Sequence, residues 1–329
     1  SGDDTHQFTG SLFISGSRID FNDGKFNTFV GFDTGKSITT GGYNAIFGYQ
    51  AGDALTIGDW NVAIGRNALT AEDVGRGTVA IGMNSLLQQN SDSDNEITNN
   101  VAVGLNTGYS VITGQGHTLI GSYAGELVRN QLYVTAIGME ALRYNNLGSN
   151  TVGVGFRAGY YTTGSYNTFV GSLAGQGGTS SAPYSSGTNN VAVGYNALGG
   201  FTTGGDNIAI GYQAGDAITT AAANIAIGSL AAGALTTGGD NIVIGYAALQ
   251  SADGAEDNNI VIGTGAGQNI NNDASDDNVF IGTYAGRGGT GELDRCVAIG
   301  YQAMDGTGTV SAQQNIFIGD NAGGGSWTT

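Results

Sequence analysis

One short pattern of polar and apolar residues returns along this chain about every 17 residues. It reads Asn, a β-branched residue, a small or aromatic apolar residue, Ile or Val, and then Gly. Nine of the sixteen intervals between copies are 17 residues, and most of the others are longer. Insertions that lengthen a fixed period are typical of a solenoid, in which each repeat forms one coil. The seventeen glycines of the pattern are Gly31, Gly48, Gly65, Gly82, Gly104, Gly121, Gly138, Gly155, Gly171, Gly194, Gly211, Gly228, Gly245, Gly263, Gly282, Gly300 and Gly319.

The residues before each glycine predict a short strand. Ile or Val directly precedes the glycine in sixteen copies, and the residue three places before it is Val, Ile or Thr in all but one. These β-branched residues favour a strand, and no long stretch has the 3.6-residue period of a helix. A second extended piece, Thr-Thr-Gly in several copies (39–41, 202–204 and 236–238), returns the chain to the next Asn. We therefore predict an all-β chain, a parallel β-roll of about seventeen coils with two short strands in each.

Small residues after the glycine predict tight corners. Ala stands three residues after the glycine in fourteen copies, usually followed by Gly or Leu. Glycine allows the positive φ of such corners, whereas proline would remove an N–H that must bond to the next coil. Asn stands four residues before the glycine in twelve copies. We expect these asparagines to stack and to bond their amides from coil to coil.

An uninterrupted apolar column along such a rod predicts an oligomer, because a soluble monomer rarely leaves so large an apolar patch exposed. Sixteen steps at the spacing of paired strands give a rod of roughly 75 to 80 Å. The residue between the two β-branched sites is Ala in eight copies and a larger apolar residue in most others. We expect subunits to pack along this column, so that replacing Ala209 and Ala226 with Asp would release single chains or abolish folding. The interface residues so predicted are Ala63, Ala80, Ala102, Ala136, Phe169, Ala192, Ala209, Ala226, Phe280, Ala298 and Phe317.

Composition and charge narrow the class of protein. The 329 residues include 60 glycines and one proline, Pro183, which excludes collagen. The net charge of −17 would repel phosphate backbones and anionic lipids, so nucleic-acid binding is not expected. The sequence has no run of 18 apolar residues, so we expect no membrane insertion. The single cysteine, Cys296, excludes an intrachain disulfide.

Several copies resemble known fibre repeats. The segments Asn61–Gly65, Asn100–Gly104 and Asn207–Gly211 resemble the head repeat of YadA-type trimeric autotransporter adhesins. Asn167–Gly171, and Asn190–Gly194 with Ala197 and Leu198, resemble repeats of phage tail fibres. The resemblance implies a left-handed β-roll and a homotrimer. The period of 17 to 19 residues is longer than the roughly 14 of the adhesin head, and no heptad stalk is present, which favours the phage fibre.

Two long insertions are the first places to look for recognition, because binding residues sit on loops held by a rigid scaffold. They cover about 88–99 and 176–188, and they supply Asp92, Asp94, Pro183 and Tyr184 as candidate receptor contacts. Carboxylates at Asp92, Asp94 and Glu96, in the cluster Asp253–Asp257, and at Asp273, Asp276 and Asp277 are candidates for calcium binding. Their spacing matches neither the EF-hand nor the calcium nonapeptide, and solvated acidic loops are the simpler explanation.

Other side chains that could carry chemistry have simpler explanations. An aromatic residue follows the glycine in several copies, as at Phe32, Tyr49, Tyr195 and Tyr212, and it could stack either on sugar rings or on its neighbour in the next coil. His117 and Cys296 occupy the Asn position, and no His is placed to activate a nucleophile. The Thr-Thr-Gly pieces suggest an ice-binding face, but about half of the coils lack them.

The sequence thus predicts a non-enzymatic, extracellular fibre segment without a cofactor. We expect residues 1–26 to cap or attach the rod, residues 27–323 to form the repeat domain and residues 324–329 to form a tail. The segment His6–Ser17 resembles short β segments of virion proteins and could equally be a strand that caps the first coil. The partners expected are two further copies of the chain and a host-cell receptor or glycan. A phage tail fibre on the virion surface is the first interpretation, the head of a bacterial trimeric adhesin is the alternative, and an ice-binding solenoid is a third.

Overall fold

The computed structural model describes residues 24–94 and 96–325, which form a parallel β-solenoid. No helix occurs in these residues, so none there could span a bilayer. Seventeen three-residue strands form one sheet, and a separate two-stranded pair consists of β16 (Leu293–Asp294) and β18 (Ala312–Gln313). The sheet strands are β1 (Thr28–Val30), β2 (Ala45–Phe47), β3 (Val62–Ile64), β4 (Val79–Ile81), β5 (Val101–Val103), β6 (Thr118–Ile120), β7 (Thr135–Ile137), β8 (Val152–Val154), β9 (Thr168–Val170), β10 (Val191–Val193), β11 (Ile208–Ile210), β12 (Ile225–Ile227), β13 (Ile242–Ile244), β14 (Ile260–Ile262), β15 (Val279–Ile281), β17 (Val297–Ile299) and β19 (Ile316–Ile318).

Each sheet strand pairs in parallel with the strand of the next coil, residue for residue. In β11 and β12, for example, Ala209 lies beside Ala226 and Ile210 beside Ile227. The insertions do not disturb this register, since Phe169 of β9 still lies beside Ala192 of β10 across an interval of 23 residues. The predicted all-β solenoid of about seventeen coils is therefore confirmed.

The return side of the coil is less regular than predicted. The Thr-Thr-Gly pieces lie in turns and bends, and among the described residues only β16 and β18 and three isolated bridges are extended pairs outside the main sheet. Return segments still stack, as where Thr202 N–H donates to Thr219 C=O at 2.8 Å. Such bonds hold neighbouring coils together but do not define a strand. The expectation of two strands in every coil is wrong for most coils.

The central residue of each strand points into the coil, and the residues on either side of it point outward. This orientation corrects the predicted subunit interface, because the central side chains are buried within a single chain and cannot reach a partner. Fully buried are Ala63, Ala80, Ala102, Ala136, Phe169, Ala192, Ala209, Ala226, Phe280 and Ala298, while Phe317 in the last coil is half-buried. The Ala and Phe column is the hydrophobic core of the rod.

In several coils a large residue at one core position accompanies a small residue at the other. Where the strand carries Phe169, the corner six residues later is Gly175, and a Cβ there would collide with the Phe169 ring. Where the strand carries Ala136, the same corner is Leu142, which is fully buried. The Phe169 ring thus fills space that Leu142 fills in the coil of Ala136. The exchange is not strict, since Val243 and Leu249 are both fully buried in one coil.

The predicted asparagine ladder is present. In the regular coils, the Oδ1 of one Asn accepts the backbone N–H of the Asn in the next coil, as between Asn207 and Asn224 at 3.0 Å. The Nδ2 of Asn207 donates across the coil to the Ala221 carbonyl at 2.9 Å. The side-chain amide therefore joins the strand to the return segment as well as coil to coil, which leaves few buried polar groups unpaired.

The glycine that ends each sheet strand is required by both conformation and space. All seventeen have φ between +125° and +143°. They stack directly on one another, and a Cβ on Gly228 would lie 2.5 Å from the Gly245 carbonyl oxygen. Only glycine fits a column in which backbones approach so closely.

Candidate functional sites: an outer stripe and a tyrosine-lined loop

An apolar stripe runs the whole length of the sheet on its outer face. We define this outer stripe as the first and third residues of the seventeen sheet strands, from Thr28 and Val30 to Ile316 and Ile318. Most of them are Ile or Val, and every one is half-exposed or exposed. Ile210, for example, leaves 38% of its surface accessible. Sequence reasoning placed the interface one residue away, on the buried column, although strand alternation allowed either face.

Aromatic residues flank the outer stripe and stack from coil to coil. Phe32 stacks on Tyr49 with ring centroids 5.8 Å apart, and Tyr195 stacks on Tyr212 at 5.5 Å. On the other flank, Phe26 stacks on Tyr43 at 5.1 Å. The expected stacking between neighbouring coils is thus confirmed for Phe32 with Tyr49 and for Tyr195 with Tyr212, whereas the Phe26–Tyr43 pair was not predicted. The rings still leave about half of their surface or more exposed and so widen the apolar face.

The first insertion is anchored by a buried carboxylate that sequence reasoning missed. Glu72 is fully buried, and its Oε1 accepts the Gly75 N–H at 2.7 Å. Its Oε2 accepts Gln89 Nε2 at 2.9 Å and the Ser91 hydroxyl at 3.1 Å. A buried charge needs such partners. Because Gln89 and Ser91 are fixed at the base of the insertion, the exposed Asp92 and Asp94 are held at its tip.

The second insertion brings a tyrosine onto an existing tyrosine cluster. The chain returns to register at Ser185, whose carbonyl accepts the Thr163 N–H at 2.7 Å and whose N–H donates to the Tyr161 carbonyl at 3.0 Å. This pairing places the Tyr184 ring 5.1 Å from Tyr144 and 5.9 Å from Tyr161. Tyr144 and Tyr161 are 17 residues apart, so the repeat interval itself predicts their contact.

A shallow pocket lies beside Tyr184. Its cavity volume is about 220 Å³, and it is lined by Asn146, Leu147, Thr163, Ala182, Pro183, Tyr184 and Ser186. Two of the four predicted receptor residues, Pro183 and Tyr184, therefore meet in one concave site. The other two, Asp92 and Asp94, lie on the first insertion and do not line it.

Arginines beside the cluster are held by carboxylates. Arg143 bonds to Glu126 at 2.5 Å and to Glu140 at 2.7 Å, and Arg157 bonds to the other Glu140 oxygen at 2.5 Å. Arg143 also lies over the ring of Tyr123 at 4.7 Å. These guanidinium groups stiffen three neighbouring coils, and their charge is already balanced within the chain.

The acidic candidates are brought together only in part. Among the described residues, Asp253, Glu256 and Asp273 place one carboxylate oxygen each within 4.8 Å of the others, so residues of two predicted acidic clusters, 253–257 and 273–277, come together. The buried Glu256 already accepts N–H groups from Gly254 and Asn272, both at 3.2 Å. Burial, together with the charge of Asp273, raises the pKa of Glu256. Asp276 accepts the Asp257 N–H at 2.8 Å, and Asp277 is exposed.

The remaining acidic candidates lie in the first insertion, where Asp92 and Asp94 are exposed and the Glu96 carbonyl accepts the Arg76 N–H of the preceding coil at 2.9 Å. Glu96 there accepts the Asp92 N–H at 3.0 Å. Calcium binding at any of these sets of carboxylates stays a prediction.

His117 and Cys296, the two described side chains best suited to nucleophilic catalysis, occupy positions in the asparagine ladder instead. His117 is buried, and its Nδ1 accepts the Val134 N–H at 3.2 Å, as an Asn Oδ1 does elsewhere. Cys296 is also buried, which raises the pKa of its thiol, and its N–H donates to Asn278 Oδ1 at 2.9 Å. His6 lies outside the described residues. No described His is therefore placed to activate this thiol.

The threonines of the return side bond along the rod. The hydroxyls of Thr202 and Thr219 each donate to a carbonyl of the next coil at 3.1 Å, and Thr39 and Thr56 do the same. Because these hydroxyl hydrogens are bonded within the chain, the threonines named here do not offer a row of free donors to ice. This geometry does not favour the ice-binding interpretation.

Comparisons with known proteins add no family to this description. The chain matches no protein-family model, and no curated protein matches it either.

Proposed function

We propose that the protein is a non-enzymatic fibre segment that assembles with two further copies and presents its insertions to a cell-surface receptor. One observation carries the proposal, the outer stripe. It is continuous over seventeen strands, mostly Ile and Val, and exposed in the single chain. Burial of this face along a rod of roughly 75 to 80 Å provides a strong hydrophobic driving force for copies to associate side by side.

The repeat favours parallel, in-register association. Each coil presents the same pair of β-branched residues at the same spacing, so a copy that lies alongside in the same direction matches coil to coil. Three such copies around an axis bury all three stripes in one core. The number three and a left-handed winding are carried by the resemblance to trimeric adhesin heads and phage fibres.

Assembly in this way leaves the insertions open for recognition. The Tyr184 loop packs on return segments, as where Ser186 N–H donates to Thr202 C=O at 2.7 Å, and so lies away from the outer stripe. The net charge of −17 keeps assembled rods apart from one another. We place the fibre on a virion surface as a phage tail-fibre segment, with the head of a bacterial trimeric adhesin as the alternative.

The proposal predicts that charges on the outer stripe release single chains. Ile210→Asp combined with Ile244→Asp places two carboxylates on the stripe two coils apart, where an assembled core would exclude water. We expect the wild type to have the mass of three chains by light scattering, and the double variant the mass of one, with its circular dichroism unchanged.

A matched control carries the same charges on the return side. Thr203→Asp combined with Thr237→Asp changes two exposed residues with the same separation. We expect this variant to stay assembled. A wild type that is already a single chain at micromolar concentration, or stripe variants that stay fully assembled, would contradict the proposal.

A further inference from the structure

We infer that the pocket beside Tyr184 binds one pyranose ring of a neutral saccharide. The inference rests on the proposed function, since it names the chemistry that a receptor-facing loop would recognise. The insertion of 176–188 is the longest in the repeat, and it returns Tyr184 to a fixed place in the stack.

The floor of the pocket suits the C–H face of a sugar. Leu147 leaves 72% of its surface exposed, more than any other large apolar residue among the described part of the chain, and it meets Pro183 and the Tyr184 ring there. The Tyr184 ring is held by Tyr144 at 5.1 Å and Tyr161 at 5.9 Å. A ring held in this way stacks on a ligand without a large loss of side-chain entropy.

The rim supplies the polar groups that sugar hydroxyls need. Asn146 contributes an amide and the exposed Ser186 a hydroxyl, whereas the buried Thr163 hydroxyl already donates to the Ser185 carbonyl at 3.2 Å. Amides and hydroxyls both donate and accept hydrogen bonds, so they match hydroxyl groups in either role. An apolar floor with a few polar groups at its edge is the usual composition of a small-molecule site.

Size and charge restrict the ligand further. The volume of about 220 Å³ is below the roughly 300 to 1,000 Å³ typical of ligand pockets, so the site holds a single ring of a longer chain. No charged residue lines it, and Arg143 nearby is paired with Glu126 and Glu140. With a net charge of −17, the protein favours a neutral saccharide over an anionic one.

The test measures binding of defined oligosaccharides to the intact chain by saturation-transfer NMR. The probes are neutral hexasaccharides of glucose, mannose and galactose, with hexagalacturonate as the anionic counterpart. We expect at least one neutral probe to bind, and Tyr184→Ala to weaken it about tenfold or more. Leu147→Lys should have the same effect, and because Leu147 is so exposed this variant keeps its fold. Tyr166→Ala removes an exposed tyrosine outside the pocket and should bind as the wild type does.

Assembly is measured on the same samples by light scattering. Binding of no neutral probe, binding of hexagalacturonate alone, or neutral binding unchanged in both pocket variants would overturn the inference while an assembled rod still supported the fibre. A single chain that binds a neutral probe through Tyr184 would overturn the fibre and support the pocket.

Discussion

Gly228→Ala is expected to lower the unfolding free energy of the rod strongly. Gly228 has a φ of +135°, and the added Cβ would lie 2.5 Å from the carbonyl oxygen of Gly245 in the next coil. That oxygen belongs to the backbone, which is fixed by the parallel pairing of β12 and β13 and cannot move aside. Conformational strain and overpacking together predict a loss of at least about 3 kcal/mol. Urea unfolding followed by circular dichroism measures this loss.

The control for this substitution lies five residues further along the same coil. Gly233 does not have a positive φ, and its nearest neighbour, the Leu230 carbonyl oxygen, would be 3.3 Å from a new Cβ. We therefore expect Gly233→Ala to change the unfolding free energy by less than about 1 kcal/mol. Equal stability of the two variants would show that the stacked glycines do not need to be glycine.

The sequence predicted the coils because one coil after another repeats the same local chemistry. The asparagine amides, the strand glycines and the small corner residues each recur at one position, so their stacking follows from the interval alone. The direction in which each strand faces does not follow from it. Ala209 and Ile210 are both apolar, and only the structure shows that Ala209 is buried in the interior of the coil while Ile210 points outward.

The candidate site was predicted only in part, because it depends on contacts that have no fixed interval. Pro183 and Tyr184 were identified from the length of their insertion. Leu147 lies 36 residues earlier and joins them only because Ser185 pairs with residues 161 and 163. Glu72 likewise was not singled out in the sequence, because its role depends on hydrogen bonds from Gln89 and Ser91 in the insertion. Insertions interrupt the repeat interval, so the contacts that they make cannot be predicted from that interval as the contacts of the regular coils can.

Acid is expected to destabilise the rod through His117. Burial lowers the pKa of His117 to about 4, from about 6.5 for an exposed histidine. The neutral ring accepts the Val134 N–H at Nδ1, and a protonated ring would lose that bond and bury a charge. Between pH 6.5 and 4 the unfolded chain therefore binds a proton that the folded chain does not. His117 makes its full contribution to the free energy of unfolding above pH 6.5. About 3 kcal/mol of that free energy is lost as the pH falls to 4.

Two reciprocal variants separate this effect from the titration of carboxylates. His117→Asn restores the usual ladder residue, so its stability advantage over the wild type in urea unfolding should widen as the pH falls from 7 to 4.5. Asn207→His places an imidazole at an equivalent position, where Gly204 precedes it by three residues just as Gly114 precedes His117. This variant should gain the same acid sensitivity. A gap between wild type and His117→Asn that stays constant across this range would mean that the buried imidazole is protonated equally in the folded and unfolded chains.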